Sequence, residues 1–525
     1  MEARSSDPPS VAAASAKPVA VSILSVGPAT AFDSEPAEPS CFPDLNLDQI
    51  VAAATAPKPE YNLVPIFRAP LPDATNVLYR QAIFRDIERP PVRATLGAFA
   101  EGMRALRANR QQIDKIHHER ERQAWFLDGV LLYDEAVRRF AAAFSSTELA
   151  SPGLVAFRDY LASYTAEDRF IRLAGATFDL KRQLASVSYC VYLIGSHVHV
   201  GSLDDEPDFT EEILGVFAKF KQADAKDHRA KLRDDGQINY IEARILDLVA
   251  ELHPDLFGRL NAFVAANTDF IDPTIAAFDR EVQFYLAWLD HIAPFRARGL
   301  PFCYPTVMPN KEVKAEGAFD LALAATLAKE DRAVIANDFE LRGDERILVI
   351  TGPNQGGKTT FARMFGQLHY LAALGCPIPG ASARLHLFDR LLTHFERPEV
   401  ATSERSKLED DLLRMRDILD VATGNGIVIL NEIFTSTTLA DAVWLSREVM
   451  TRLIERDILG VWVTFIDELA SFSSATVSMV GGVDPNDDAV RTFRLTRRPA
   501  DGLAYAMALA DRHRLTYRSL RERIR

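Results

Sequence analysis

The sequence predicts a mainly α-helical core followed by an α/β domain. Over residues 77–300, apolar residues recur at steps of three and four with few glycines between them, which indicates packed helices. After Pro301 the pattern changes to short β-branched apolar runs separated by helical stretches. The runs cover residues 346–350, 426–430 and 459–464, and the helical stretches cover residues 360–374, 407–422 and 439–455. This alternation is typical of a parallel sheet with helices on both faces.

The length of 525 residues predicts several domains, because single hydrophobic cores stop growing at about 250–300 residues. Residues 1–44 are rich in Ala, Pro and Ser and poor in aromatic residues, so we expect a disordered tail there. The helical domain is expected at residues 45–310 and the α/β domain at residues 311–525. Within the helical domain, an apolar stripe along residues 271–293 predicts one long helix packed against others.

The composition excludes several classes of protein. Hydrophobic residues make up 48% and charged residues 25% of the chain, as in ordinary globular proteins. No apolar run approaches the roughly 18 residues that span a bilayer, and the first residues lack the pattern of a secretory signal. The cysteines are scattered without a C-x-x-C pair, which favours a reducing, cytoplasmic location and no cysteine metal site. They are Cys41, Cys190, Cys303 and Cys376.

A glycine-rich segment lies between the first apolar run of the α/β part and the helical stretch that follows it. Residues 352–359 read G-P-N-Q-G-G-K-T and fit the pattern G-x-x-x-x-G-K-[ST]. In such a loop, backbone N–H groups and a helix N-terminus surround a polyphosphate, the lysine neutralises β- and γ-phosphate oxygens, and the hydroxyl binds Mg²⁺. The sequence therefore predicts that this segment binds ATP and Mg²⁺. The predicted nucleotide-binding residues are Gly352, Pro353, Asn354, Gln355, Gly356, Gly357, Lys358, Thr359 and Thr360.

A second apolar run ends in Asn431 and Glu432, a position beside the nucleotide in sheets of this kind. ATPases of this design usually carry Asp-Glu there, the Asp holding Mg²⁺ through water and the Glu polarising the attacking water. Asn431 has no negative charge, so we expect a lower affinity for Mg²⁺. Glu432 is the predicted catalytic base, and Thr359, Asn431 and Glu432 are the predicted metal-site residues.

Two basic runs lie in the helical domain, although the net charge of −13 excludes a globally basic nucleic-acid binder. They could contact nucleic-acid phosphates, or they could form solvated helix faces with ion pairs between residues four apart. The first run includes Arg104, Arg107, Arg110, Lys115, Arg120 and Arg122, and the second includes Lys219, Lys221, Lys226, Arg229, Lys231 and Arg233.

Together these motifs resemble those of one protein family. Residues 351–360, T-G-P-N-Q-G-G-K-T-T, closely resemble the T-G-P-N-M-G-G-K-S-T loop of the MutS family of DNA mismatch-repair ATPases. Residues 426–440 are similar to the family's D-E-I-G-R-G-T segment, and residues 463–469 to its A-T-H-Y-x-E-L strand end. Residues 405–409 match its G-R-S-T-F-M-x-E-M segment loosely. The resemblance extends from residue 63 to the end of the sequence and is strongest at the loop.

This resemblance implies an ABC-like P-loop ATPase domain that forms a homodimer over two nucleotides, with helical levers and clamps that enclose DNA. By the same resemblance, Lys358 and Thr359 bind phosphate and Mg²⁺, and Glu432 activates water. Ser406 would contact the nucleotide of the other subunit, and Thr464 would lie next to the γ-phosphate.

The sequence departs from the family pattern at several positions. Phe465 replaces the family's histidine, Asn431 its aspartate, and Phe434-Thr435-Ser436 its G-R-G turn. Polar groups aimed at the transition state are thereby lost, so we expect ATP binding with slow hydrolysis. No Phe-x-Glu wedge segment precedes the helical core in this sequence. We therefore expect branched or recombining DNA as the ligand rather than a mispair.

Two functions remain open at this stage. The first is a cytoplasmic, homodimeric, MutS-like ATPase that clamps DNA through phosphate contacts in mismatch repair or recombination. The alternative is a nucleotide-gated dimeric interaction protein with little catalysis and no DNA role.

Overall fold

The computed structural model describes most of the chain and divides it into two compact units. The described residues are 20–26, 36–194, 197–203, 239–396, 406–484, 487–500 and 514–524. The first unit, here called the helical unit, comprises described residues within 89–149 and 155–279. The second, here called the α/β unit, comprises described residues within 20–88, 150–154 and 280–524. These limits differ from the predicted domain boundaries at residues 44/45 and 310/311.

Four short helices open the α/β unit. They are α1 (Cys41–Leu45), α2 (Leu47–Thr55), α3 (Val64–Phe67) and α4 (Ala74–Ile87). The Gln367 side chain donates to the carbonyl of Leu45 at 2.9 Å, and the Tyr370 hydroxyl donates to the carbonyl of Phe67 at 3.0 Å. Because these residues are hydrogen-bonded to the helix that follows the glycine-rich loop, residues 41–88 belong to the α/β unit rather than to the helical domain predicted from residue 45.

Part of the tail predicted to be disordered over residues 1–44 is structured and buried, which corrects that prediction. Residues 22–24 are at most 4% exposed. The Ser22 hydroxyl and the next backbone N–H donate to the Glu281 carboxylate at 2.8 and 2.7 Å. The Arg80 guanidinium donates to the carbonyl of the residue after that at 2.7 Å. Side chains distant in sequence therefore satisfy this backbone, which local composition cannot reveal.

Among its described residues, the helical unit contains long helices and one β-hairpin. The helices are α5 (Pro90–Ile113), α6 (Glu119–Ser145), α7 (Pro152–Ala166), α8 (Asp168–Ala185), α9 (Tyr240–Leu252) and α10 (Pro254–Ala266), and the hairpin strands are β1 (Tyr189–Ile194) and β2 (His197–Ser202). Stacked rings fill its core, with Phe157 and Phe278 at 3.5 Å between centroids and Phe99 and Phe140 at 4.3 Å. The hairpin is a correction, because helix was expected throughout this region; its aromatic and β-branched residues favour strand.

Helix α11 (Pro273–Ala297) lies where the long helix was predicted, but its buried residues do not follow the single predicted stripe. Within the α/β unit, every residue of 281–289 is buried, so the helix has no solvated face there. Ala293, expected in the apolar stripe, is exposed. The surrounding contacts, rather than one apolar stripe, therefore determine its packing.

The rest of the α/β unit contains three sheets and five helices among its described residues. The strands are β3 (Phe302–Cys303), β4 (Thr306–Met308), β5 (Val313–Ala318), β6 (Asn337–Leu341), β7 (Ile347–Thr351), β8 (Ile378–Pro379), β9 (Ser382–His386), β10 (Leu391–Phe395), β11 (Ile427–Asn431), β12 (Leu459–Val463), β13 (Thr476–Asp484) and β14 (Asp487–Arg497). The helices are α12 (Leu321–Lys329), α13 (Lys358–Ala373), α14 (Lys407–Val421), α15 (Leu439–Glu455) and α16 (Tyr517–Arg523).

The main sheet has the strand order β10-β11-β12-β7-β13-β14. Its first five strands run parallel and β14 is antiparallel to β13. On one face, a Cβ on Gly366 of α13 would come within 2.8 Å of the Ile429 side chain, so the helix approaches the sheet closely. On the other face, Val428 and Leu430 share a buried cluster with residues of α14 and α15 such as Met415. The predicted parallel sheet with helices on both faces is confirmed.

Strands β7, β11 and β12 lie within one residue of the three predicted runs, and α15 covers the predicted helix 439–455. The second sheet, β4-β9-β5-β6, and the β3–β8 pair carry no equivalent prediction. Among the described residues, no helix combines the length and apolar character needed to cross a bilayer. The four cysteines are not paired in disulfides.

Candidate nucleotide-binding site

The glycine-rich segment 352–359 forms a tight loop between β7 and α13. Gly352 has φ +115° and Gly357 has φ +89°, backbone conformations that residues with a Cβ rarely adopt. At Gly352 there is also no space, because an added Cβ would come within 2.9 Å of the Gly481 backbone nitrogen. The loop closes with a hydrogen bond from Gly356 N–H to Pro353 O at 3.2 Å. The predicted glycines are therefore required by the local backbone.

Lys358 is the first residue of α13, and its ammonium group lies over the loop. It donates to the Gly352 carbonyl at 2.9 Å and to the Asn354 side-chain oxygen at 3.2 Å. Its Nζ lies 3.5 Å from Glu432 Oε1, and the residue is 5% exposed. Burial lowers the pKa of Lys358, while the Glu432 carboxylate opposes that shift. The site thus holds a largely desolvated cation at a helix N-terminus, where anions are favoured.

The side chains of Thr359 and Asn431 join helix α13 to strand β11. The Thr359 hydroxyl donates to Asn431 Oδ1 at 3.0 Å, and Asn431 is 7% exposed. Mg²⁺ prefers oxygen ligands, so this hydroxyl and this amide oxygen fit the ion chemically, although neither carries charge. Among the described residues, no group of three or more His, Cys, Asp or Glu side chains could hold a metal ion. Of the three predicted metal-site residues, the structure brings Thr359 and Asn431 together, whereas Glu432 faces Lys358.

The turn after β11 has an unusual backbone. Glu432 has φ +51° and Phe434 has φ +60°, both left-handed conformations that are uncommon for residues other than glycine. The Glu432 backbone N–H donates to the Val463 carbonyl at 2.9 Å, and its side chain is 33% exposed. The carboxylate therefore stays partly accessible to water beside the loop.

Thr464 follows β12, whose C-terminal end lies between those of β11 and β7. Its N–H donates to the Ile350 carbonyl at 3.0 Å, and its hydroxyl accepts from the Ile466 N–H at 3.0 Å. Thr464 is 3% exposed, whereas the neighbouring Phe465 is 49% exposed. The predicted site residues at three adjacent strand ends thus meet at one edge of the sheet.

Ser406 is the N-cap of α14, and its Oγ accepts from the Glu409 N–H at 3.2 Å. Its described hydrogen bond is within its own helix rather than to the glycine-rich loop, so the predicted contact with a nucleotide stays a prediction. Arg405, which precedes Ser406 in the same segment, lies outside the described residues.

Strand β14 adds residues that the sequence did not single out. Arg491 Nε donates to the Asn354 carbonyl at 3.4 Å, and Gly357 lies 3.7 Å, measured from an ideal Cβ, from the backbone of Phe493. Asn337 holds this strand by donating to the Phe493 carbonyl at 3.1 Å. No local pattern marks these residues, because their proximity arises only from the antiparallel pairing of β14 with β13.

Some residues of the first basic run contact other residues of the chain, and others are exposed to solvent. Arg107 pairs with Asp279, whose side chain is 5% exposed, and Arg120 donates to Asn261 Oδ1 at 2.5 Å. Other members of the run are exposed. They are Arg104, Arg110, Lys115 and Arg122. The second basic run lies outside the described residues.

Comparison with known proteins finds relatives for the part of the chain that contains these residues. Residues 348–488 match the family model MutS domain V. The DNA mismatch repair protein MutS of Chlorobaculum parvum is 30% identical over 261 residues, which are 49% of this chain and 29% of that protein. The DNA mismatch repair protein MutS 2 of Halobacterium salinarum is 28% identical over 225 residues, 43% of this chain and 25% of that protein. The chain thus spans less than a third of the length of these relatives. The domain V match and the similarity to MutS and MutS 2 proteins over about half of the chain support a MutS-family protein.

Proposed function

We propose that this chain is a MutS-like ATPase of the P-loop, ABC-like type that binds Mg²⁺ and ATP and couples slow hydrolysis to DNA binding in mismatch repair or recombination. The observation that carries the proposal is the position of Lys358. Its buried ammonium lies at the N-terminus of α13, 2.9 Å from the Gly352 carbonyl and 3.5 Å from the Glu432 carboxylate. Triphosphate binding and hydrolysis require a cation and a helix N-terminus for the phosphates and a carboxylate close to them.

The residues of the loop supply the binding. The backbone N–H groups that follow Gly356 would bind phosphate oxygens. Lys358 would exchange its contacts with Gly352 and Asn354 for contacts with the β- and γ-phosphates. Thr359 and Asn431 would hold Mg²⁺, which neutralises phosphate charge when bound. Because neither ligand is charged, we expect the phosphates to provide most of the affinity for the ion.

Glu432 is the proposed base for the attacking water. Its carboxylate is partly exposed, and the strained turn fixes it beside Lys358. Two features support slow turnover: Asn431 adds no negative charge to orient Mg²⁺, and the exposed Phe465 has no polar group to contact phosphate or water. Thr464 is proposed to lie next to the γ-phosphate.

The proposal includes a homodimer in which Ser406, at the start of α14, contacts the nucleotide of the other subunit. A helix N-terminus with an accessible hydroxyl fits a phosphate group. The scattered, unpaired cysteines support a cytoplasmic location.

ATP turnover tests the enzymatic part. We expect measurable but slow MgATP hydrolysis by the wild-type chain, at least about tenfold lower for Glu432→Ala, with ATP-analogue binding retained. Lys358→Ala should weaken binding itself. Hydrolysis that is unchanged in Glu432→Ala, or as fast as in a relative with the full D-E and histidine motif, contradicts the proposal.

DNA binding separates the two candidate functions. Three arginines of the first basic run, Arg104, Arg110 and Arg122, are exposed. Replacing all three by Gln should make the plot of log DNA-binding constant against log salt concentration less steep, by up to about 3 in the slope. The exposed arginines Arg172 and Arg182 provide a matched control in the same unit.

The alternative, a nucleotide-gated interaction protein with no DNA role, is favoured by Asn431, by Phe465 and by the net charge of −13. Anisotropy titrations with homoduplex, mismatched and four-way DNA, with and without ATP, decide between the two. Salt-dependent binding that prefers four-way DNA supports the first function. No binding of any of these DNAs at low salt supports the alternative.

A further inference from the structure

We propose that Asp411 is a positioning residue that holds the turn carrying Glu432 and links it mechanically to helix α14. The inference rests on the proposed function, because it assigns a role towards the same carboxylate. Asp411 lies on the buried side of α14 and is 8% exposed. Its side chain contacts the turn after β11 and a histidine on β10, so one carboxylate joins three elements.

The contact with the turn is a hydrogen bond to backbone. The Phe434 N–H donates to Asp411 Oδ2 at 3.4 Å. Phe434 is two residues after Glu432, and both residues have left-handed φ values. Residues other than glycine persist in this conformation only where the surrounding structure over-determines them.

Three contacts over-determine this turn. The Glu432 N–H donates to Val463 O at 2.9 Å, the Phe434 ring is fully buried in the cluster shared with α14 and α15, and Asp411 accepts the Phe434 N–H. Only the Asp411 contact comes from a side chain that acts on the backbone. It is therefore the contact that a substitution can remove while the strand pairing and the apolar core remain.

A histidine on β10 lies against the same residue. His394 is fully buried, and its Nε2 lies 3.4 Å from Asp411 Oδ1 and also 3.4 Å from the Asp411 carbonyl oxygen. One carboxylate oxygen therefore faces the histidine and the other faces the turn. Asp411 thus lies between β10 and the turn, so a displacement of α14 would reach the turn through its side chain.

Helix α14 extends the link to the predicted dimer contact. Ser406 caps α14 five residues before Asp411, about 7.5 Å along the axis at about 1.5 Å per residue. Asp411 therefore lies on the same helix as the proposed phosphate contact, less than two turns from it.

The test compares Asp411→Leu and Asp411→Asn with Asp417→Leu in the full chain. Asp417 is on the same helix with a side chain 66% exposed, so it controls for loss of charge and for leucine on α14. Three quantities are measured: amide hydrogen exchange at residues 431–435, the dissociation constant of a non-hydrolysable ATP analogue, and kcat for MgATP.

We expect Asp411→Leu to accelerate exchange of the Phe434 amide and to lower kcat, each by at least about tenfold, while the dissociation constant changes by less than about threefold. Asp411→Asn keeps an oxygen acceptor and should fall between wild type and Asp411→Leu. Asp417→Leu should match wild type in all three quantities.

Unchanged exchange at Phe434, or accelerated exchange with unchanged kcat, overturns the assignment. If Asp411→Leu does not fold, the same two outcomes in Asp411→Asn overturn it. A wild-type chain that neither binds nor hydrolyses ATP overturns the proposed function instead. Exchange at Phe434 then still decides whether Asp411 holds the turn.

Discussion

The Thr359 hydroxyl donates a hydrogen bond to Asn431 Oδ1 at 3.0 Å and so joins the first turn of α13 to the end of β11. In the proposed function, this pair would coordinate the phosphate-bound Mg²⁺. The two oxygens are suited to the ion but bring no charge to it. A change of charge at either residue should therefore alter the affinity for Mg²⁺ more than any other property of the site.

Asn431→Asp should raise the affinity for Mg²⁺. The substitution preserves size and adds one negative charge where the Thr359 hydroxyl now donates, so the half-saturating Mg²⁺ concentration for ATP turnover should fall by at least about tenfold. Titration of hydrolysis with Mg²⁺ at saturating ATP measures it. Asn425→Asp, at an exposed loop position, is the matched control. An unchanged half-saturation would show that residue 431 does not act on the ion.

Phe465→His should increase kcat. Phe465 directly follows Thr464 at the strand end and is 49% exposed, so an imidazole can replace the ring without desolvation. A positioned acid or base typically contributes about 10²–10⁴-fold, and we expect at least about threefold here. Single-turnover hydrolysis measures the change, with Phe465→Leu as the apolar control. Equal rates for histidine and leucine would contradict a role for this position.

The strands and the loop of the site were predictable because their signals are local. Ile347 to Thr359 combines an apolar run, glycines that need positive φ, and a helix start within one short stretch. The same holds for Asn431 and Glu432 at the end of β11. These features depend on neighbours in sequence; the loop lies between β7 and α13, and Asn431 is the last residue of β11.

The remaining features depend on contacts between distant segments. Residues 22–24 are buried because Arg80 and Glu281 bind their backbone, which an Ala/Pro/Ser-rich composition conceals. Arg491 reaches the loop only through strand pairing, and Asp411 reaches Phe434 only through the packing of α14. In each case the sequence shows the residue but does not show which distant residue it contacts.

The buried carboxyl group of Glu281 should make the free energy of unfolding depend on pH. Burial raises its pKa from 4.5 to about 7, against the hydrogen bonds from Ile23 and Ser22 and the charge of Arg80. The folded state therefore binds more protons than the unfolded state between these values. The stabilisation is complete below pH 4.5 and is lost as the pH rises through about 7, by up to about 3 kcal/mol.

Urea unfolding at pH 5 and pH 8 tests this. Glu281→Gln cannot ionise, so the difference between its unfolding free energies at the two pH values should be smaller than that of wild type by about 2–3 kcal/mol. Glu60→Gln, at an exposed position, should behave as wild type. Parallel pH profiles for wild type and Glu281→Gln would refute the assignment.

Arg80 should be essential for stability and coupled to Glu281. Arg80 is 1% exposed and donates to the carbonyls of Leu24 at 2.7 Å and Leu374 at 3.1 Å. Arg80→Met leaves both buried carbonyls without a donor, at a cost of about 1–3 kcal/mol each, and removes a positive charge that favours ionised Glu281. In the double variant with Glu281→Gln, the cost should be at least about 1 kcal/mol below the sum of the two single variants. Additive losses in urea unfolding would exclude the coupling.

Calorimetric titration of the purified chain with a non-hydrolysable ATP analogue and Mg²⁺ measures whether the glycine-rich loop binds a triphosphate. We expect saturable binding by wild type and binding at least about tenfold weaker for Lys358→Ala, since a hydrogen bond to a charged group contributes about 1.5–3 kcal/mol. We also expect the bound chain to dimerise. Absence of binding by the wild-type chain, or equal binding by the Lys358→Ala variant, would contradict nucleotide binding at this loop.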